Sequence, residues 1–223
     1  MTKFGLVFVL LLLGSTTVAS LRQSPAPADR QLTARVLANQ RLTATTGALL
    51  FLLLAAIAAT ILSLSSLLVV HYFVGLLLVP PLVLKLGTTG YRFARYYLRD
   101  AAYRLAGPPP GLLRFAVAPL LVGSTLVVMA TGIELWLFGL RFGQGWMTAH
   151  TLSAVAFMLA LGGHLIGHLR RSVREALREF TATATTRAIT LRSALIATLL
   201  LGAILAATSI FYPTPFPPAA AGP

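Results

Sequence analysis

Residues 46–88 read TGALLFLLLAAIAATILSLSSLLVVHYFVGLLLVPPLVLKLGT, two apolar runs parted by Ser63-Leu64-Ser65-Ser66 and carrying a single charged side chain, Lys85, near the far end. A helix needs about 20 apolar residues to cross the hydrocarbon core of a bilayer, and the runs at 46–63 and 67–88 each come close to that length. So short a connection makes the two runs antiparallel neighbours. Runs of the same kind recur at 115–139, 148–168 and 190–211. The reading is therefore an all-α transmembrane helical bundle of five spans, A to E. With 57% hydrophobic and only 10% charged residues, the chain lies outside the composition of soluble domains.

The spans leave little chain over. Residues 1–20 hold a short apolar run, Phe4 to Leu13, followed by Thr17-Val18-Ala19-Ser20, and form either a cleaved signal peptide or an uncleaved first helix. Residues 21–45 are a basic segment, 46–211 the bundle, and 212–223 a proline-rich tail expected to be disordered. Gly107-Pro108-Pro109-Pro110-Gly111 breaks the chain before span C.

The net charge of +13 would suggest nucleic acid in a soluble protein. Here the arginines lie between apolar spans, where membrane topology puts them, and nucleic acid is excluded as a partner. Arg35 and Arg41 precede A, Arg92, Arg95, Arg99 and Arg104 follow B, and Arg170, Arg171, Arg174 and Arg178 follow D. The A–B turn has no charged side chain and the C–D turn has only Arg141. The positive-inside rule then places the basic ends on the cytoplasmic side of a multi-pass protein. The segment Tyr91 to Arg104 is expected to be an interfacial helix against anionic membrane lipid.

There is no cysteine, which removes disulfides, thiolate metal sites and covalent haem attachment. Metal chemistry in this chain rests on histidine. Only four occur, His71, His150, His164 and His168, at or near the ends of B and D. At 100° per residue, the fourteen steps from His150 to His164 return to within about 40° of one face while climbing about 21 Å. His71 and His150 start parallel spans at one level and can face each other across the bundle. A porphyrin held between two helices needs such a pair as axial ligands, and small residues beside it; Gly75 lies one turn from His71, and Gly162 and Gly163 precede His164. The competing reading is that the imidazoles sit at headgroup depth and bind water.

His150 and His164 on one helix, with His71 level with the first, resemble the cytochrome b-like membrane subunits of bacteria, including the cytochrome partners of nickel-iron hydrogenases and formate dehydrogenases. The run from His71-Tyr72-Phe73-Val74-Gly75 through Pro80-Pro81 to Tyr97 also looks like small actinobacterial membrane proteins of cytochrome b-like type. The resemblance covers A to D and implies a four-helix core with haem b between His71 and His150, in the bacterial inner (cytoplasmic) membrane. It would add a second haem at His164, and it implies electron transfer between an oxidoreductase partner subunit and quinone, without catalysis by this chain itself. The sequence departs from the family at Lys85, which stands where the ligand opposite His164 belongs. His168 is read as a propionate partner, an alternative ligand or an interface residue.

Glu134, the one carboxylate inside a span, is expected either to relay protons or to pair with Arg141, and Trp136 and Trp146 to anchor the C–D end at the membrane interface. The alternative function, of a different class, is a haem-free membrane scaffold or assembly protein. A transmembrane reductase acting by itself lacks any flavin or nicotinamide motif.

Overall fold

The computed structural model describes residues 32–107, 113–181, 186–212 and 215–216. The N-terminal run, the prolines at 108–110 and most of the tail, on which the signal-peptide and disorder expectations fall, lie outside them.

From Ala34 to Thr60 the chain has no proline and forms helix α1. Its threonines fit an apolar setting because their hydroxyls return to the helix: Thr45 Oγ1 donates to Arg41 O at 2.9 Å, Thr46 Oγ1 to Leu42 O at 2.7 Å and Thr60 Oγ1 to Ile57 O at 2.6 Å. A 3-10 turn, Ile61–Ser63, follows, and non-helical backbone at Ser63 and Leu67 reverses the chain into α2, Leu64–Tyr97. Asn39 bonds Thr88, Lys85 bonds Thr43, Gly75 faces Ile57 and His71 meets Thr60. Rising numbers on α1 thus meet falling numbers on α2, the register of an antiparallel hairpin.

Helix α2 runs through Pro80 and Pro81 without ending. A proline cannot donate to the carbonyl four residues back, so Pro81 frees the oxygen of Leu77. A Cβ on Gly202 would lie 2.5 Å from that oxygen. The glycine lets the backbone of the last helix close against the freed carbonyl, the kind of contact small residues permit between membrane helices.

Past Tyr97 the chain turns at Arg99, with φ of 62°, into the short α3, Ala101–Leu105. Asp100 caps α3 by accepting from the Ala102 N–H at 3.0 Å, and its carboxylate also meets Arg35 at 2.5 Å and Arg95 at 2.6 Å. Burial alone would push the Asp100 carboxyl up, but Arg35, the Ala102 amide and Arg95 together hold it below the usual carboxylate range. One carboxylate therefore ties α1, α2 and α3 together, with Tyr103 tucked beneath at 3% exposure.

After a π-helical turn, Leu113–Val117, come α4, Ala118–Phe138, α5, Gln144–Thr181, and α6, Thr186–Phe211. Helix α1 packs between α2 and α5, and α4 packs between α5 and α2, which closes a four-sided core with α2 and α5 on its diagonal. The fifth long helix, α6, lies on the outer side of α2. Among the described residues, four helical stretches are long and apolar enough to cross a membrane: Ala34–Tyr97, which folds back on itself at the hairpin turn, Phe115–Phe138, Gln144–Leu165 and Ile189–Phe211. Leu52, Leu200 and Ile204 point outward, more than half exposed, as lipid-facing side chains do. The chain has the build of a multi-pass membrane protein, and the all-α bundle with a four-helix core is as expected from its sequence.

Several expected boundaries move. The basic stretch after span D is not a loop, because α5 continues to Thr181, through Arg170, Arg174 and Arg178. No glycine or proline interrupts residues 169–181, and these are mostly strong helix formers. The described part of the basic segment before A is likewise helical from Ala34, and Tyr91–Tyr97 extends α2 instead of forming a separate interfacial helix. Helix α4 stops at Phe138, where Gly139 takes φ of 59°, so Glu134 and Arg141 do not come to share a face and form no ion pair. Trp146 is exposed as an anchor should be. Trp136 is not: it is 8% exposed, clustered with Leu76 and Ala206, and stacked 5.4 Å from Tyr212, so it serves the core.

Candidate functional site: two polar levels in one bundle

The two turns, Ile61–Ser63 and residues 139–143, lie at one end of the bundle, which carries Arg141 as its charged side chain. Arg35, Arg92, Arg95, Arg99, Arg104, Arg174 and Arg178 gather at the other. Between the ends lie two levels of polar side chains, fourteen residues apart on both α2 and α5.

At the level near the turns, His71 of α2 and His150 of α5 face each other across the core diagonal, with ring centroids 6.5 Å apart and planes at 81°. Their hydrogen bonds assign the tautomers. Thr60 commits its hydroxyl proton to Ile57 O, so its Oγ1 accepts from His71 Nδ1–H at 2.7 Å. His150 Nδ1 lies 3.1 Å from the carbonyl of Val128, which can only accept, and Nδ1 is therefore the protonated nitrogen there too. Thr131 Oγ1, itself donating to Val127 O, stands 3.1 Å from the same nitrogen. Both imidazoles thus present a lone pair on Nε2, and among the described residues no hydrogen bond occupies either one. Gly132 packs flat against His150: a Cβ there would come within 3.0 Å of Cε1.

Below this level lies an apolar plug. Ala58, Phe157 and Met158 are buried together, with Leu54, Leu121 and Leu161 packed around them.

Beyond that plug lies the second level. Lys85 occupies the α2 position corresponding to His71 one level up, and His164 the α5 position corresponding to His150. They do not form an equivalent pair. Lys85 Nζ donates to Thr43 O on α1 at 2.7 Å and lies 2.8 Å from where a Gly47 Cβ would stand, with Ser172 Oγ 3.5 Å from the same point. His164 packs against His168 of its own helix, centroids 4.6 Å apart and planes tilted by 55°.

Of the four histidines singled out in the sequence, the structure brings His71 and His150 together across the core, and His164 and His168 together along one helix. Among the described residues no three of His, Asp, Glu or Cys come together, so the cross-bundle site offers two protein ligands. Sequence reasoning missed Thr60, Val128, Thr131 and Gly132. Thr60 had a usable signal, since an antiparallel hairpin turning at 61–63 brings it opposite His71; the other three depend on how α4 meets α5. Glu134 keeps both carboxylate oxygens buried without a hydrogen-bond partner. No protein-family model matches this chain, and no curated protein or solved structure is significantly similar to it.

Proposed function

We propose that the chain is a membrane b-type cytochrome that holds haem b between His71 and His150 and passes electrons between a redox partner subunit and quinone or another carrier. One observation carries this reading: two imidazoles from diagonal helices face each other, and each is fixed through Nδ1 so that Nε2 is left to ligate. With their ring centroids 6.5 Å apart, His71 and His150 would hold the haem iron between them. Metal-bound histidines characteristically donate their second nitrogen to a carbonyl or other acceptor, which Val128 and Thr60 supply here.

Haem b would supply a one-electron carrier of low solvent exposure. The chain's own residues do the rest. Thr60, Val128 and Thr131 orient the two imidazoles, Gly132 lets His150 lie close to α4, and the cluster around Phe157 and Met158 forms an apolar layer below. Membrane lipid surrounds the outward-facing leucines and isoleucines. The arginine-rich end, set against a turn end with Arg141 as its charged side chain, is consistent with a bacterial cytoplasmic membrane with the basic end inside.

The test is a dithionite-reduced minus oxidised absorption spectrum of protein purified from haem-sufficient cells. Sharp b-type bands are expected, and they should vanish in both His71→Ala and His150→Ala. A colourless wild-type protein, or full haem content in either variant, would return the chain to the scaffold reading.

A further inference from the structure

The level around Lys85 repeats the spacing of the level around His71 but is built to a different end. We infer that Lys85 closes the second level of the bundle to porphyrin and so limits the chain to one haem, an inference that rests on the proposed His71/His150 site.

Three observations carry it. First, the α2 position that would supply a ligand opposite His164 holds Lys85, whose Nζ donates sideways, to Thr43 O on α1. Its nitrogen is held by a backbone carbonyl of α1, and α2 offers no imidazole opposite His164. Second, α1, α2 and α5 meet at Gly47, where a single added carbon would collide with Lys85 Nζ and touch Ser172 Oγ. Lys85 Nζ and Ser172 Oγ thus both close on the backbone of α1 at this junction. Third, the His164 imidazole lies against His168 along α5, whereas the histidines of the other level face each other across the diagonal. The apolar cluster of Ala58, Phe157 and Met158 separates the two levels, so that one can be loaded while the other stays closed.

Lys85 is thus a specificity-determining residue for cofactor number, and the chemistry it excludes can be restored by one substitution. The experiment measures haem per chain, by pyridine haemochrome against protein concentration, in full-length wild type, Lys85→His, and Lys85→His combined with His164→Ala. Wild type is expected to carry one haem, Lys85→His two, and the double variant one again, because the restored pair needs both imidazoles. Electron paramagnetic resonance of the oxidised proteins should show a second low-spin signal in Lys85→His alone. If Lys85→His does not accumulate in folded form, His164→Ala in the wild-type background replaces it and should leave haem content and the reduced spectrum unchanged. Two haems in wild type, falling to one in His164→Ala, would overturn the inference while leaving the His71/His150 site standing. A folded Lys85→His that stays at one haem would overturn it as well. Wild type without any haem would instead overturn the proposed function, and this inference with it.

Discussion

Two levels of the same two helices, separated by fourteen residues on each, carry nearly the same side-chain types and do different things. Near the turns, His71 and His150 meet across the core, ring centroids 6.5 Å apart; at the basic end, Lys85 bonds to α1 and His164 lies against His168 of its own helix. Helical periodicity is common to both and cannot be what separates them. The difference lies in the groups behind the imidazoles. Thr60 and the Val128 carbonyl hold the upper rings by Nδ1, whereas at the lower level Lys85 Nζ donates to the Thr43 carbonyl of α1.

The comparison can be broken at the upper level by removing what aligns the rings. Gly132→Ala places a methyl group within 3.0 Å of His150 Cε1 and tilts that imidazole. Haem affinity should fall roughly 10- to 100-fold, the range seen when groups behind a metal ligand are changed. Because alanine favours a helix over glycine by about 1 kcal/mol, the thermal midpoint of the haem-free protein should not fall, and this separates loss of ligand geometry from loss of fold. Haem titration of both proteins in detergent provides the measurement.

A finer test sets the two anchors against each other. Thr60→Val deprives His71 Nδ1–H of its acceptor and should weaken haem binding about tenfold. Thr131→Val should do much less, because the Val128 carbonyl still accepts from His150. Equal effects of the two threonines would mean that the tautomer assignment at His150 is wrong.

The smallest effect belongs to the basic end, at the Asp100 tie. Its carboxyl is held below the usual carboxylate range, so the stability it contributes is present above the ordinary carboxylate pKa and is lost as pH falls through the lowered value. Asp100→Asn should lower the thermal midpoint slightly at neutral pH, less so in high salt, and should flatten the acid limb of the midpoint-versus-pH curve. Haem content should be unaffected, because the tie lies at the opposite end of the bundle from His71.

Much of this was readable in one dimension. The spans, the tight first hairpin and the placing of the arginines follow from apolar run length and charge, because a bilayer admits few ways to bury a backbone. The level pairing of His71 with His150 was legible for the same reason, once both helices were known to run in parallel. The boundaries were less so: α5 runs thirteen residues past the expected end at 168, since hydropathy marks where lipid stops and not where a helix does. Trp136 was misjudged because an aromatic residue near a span end suits an interface equally well, until Leu76, Ala206 and Tyr212 are found around it.

By itself, then, the sequence determined that this chain lives in lipid as antiparallel helices, and that its histidines occur at two depths. What the packed structure added is the set of groups that hold each level in place: Thr60, Val128 and Gly132 around the pair, and Thr43 beside Lys85. That set depends on contacts between residues far apart in the chain: Gly132 against His150, Leu77 O against Gly202, and Lys85 held by Thr43 over the open face of Gly47. Each is a matter of helices approaching within a single side chain's width, a distance that periodicity along one helix does not encode.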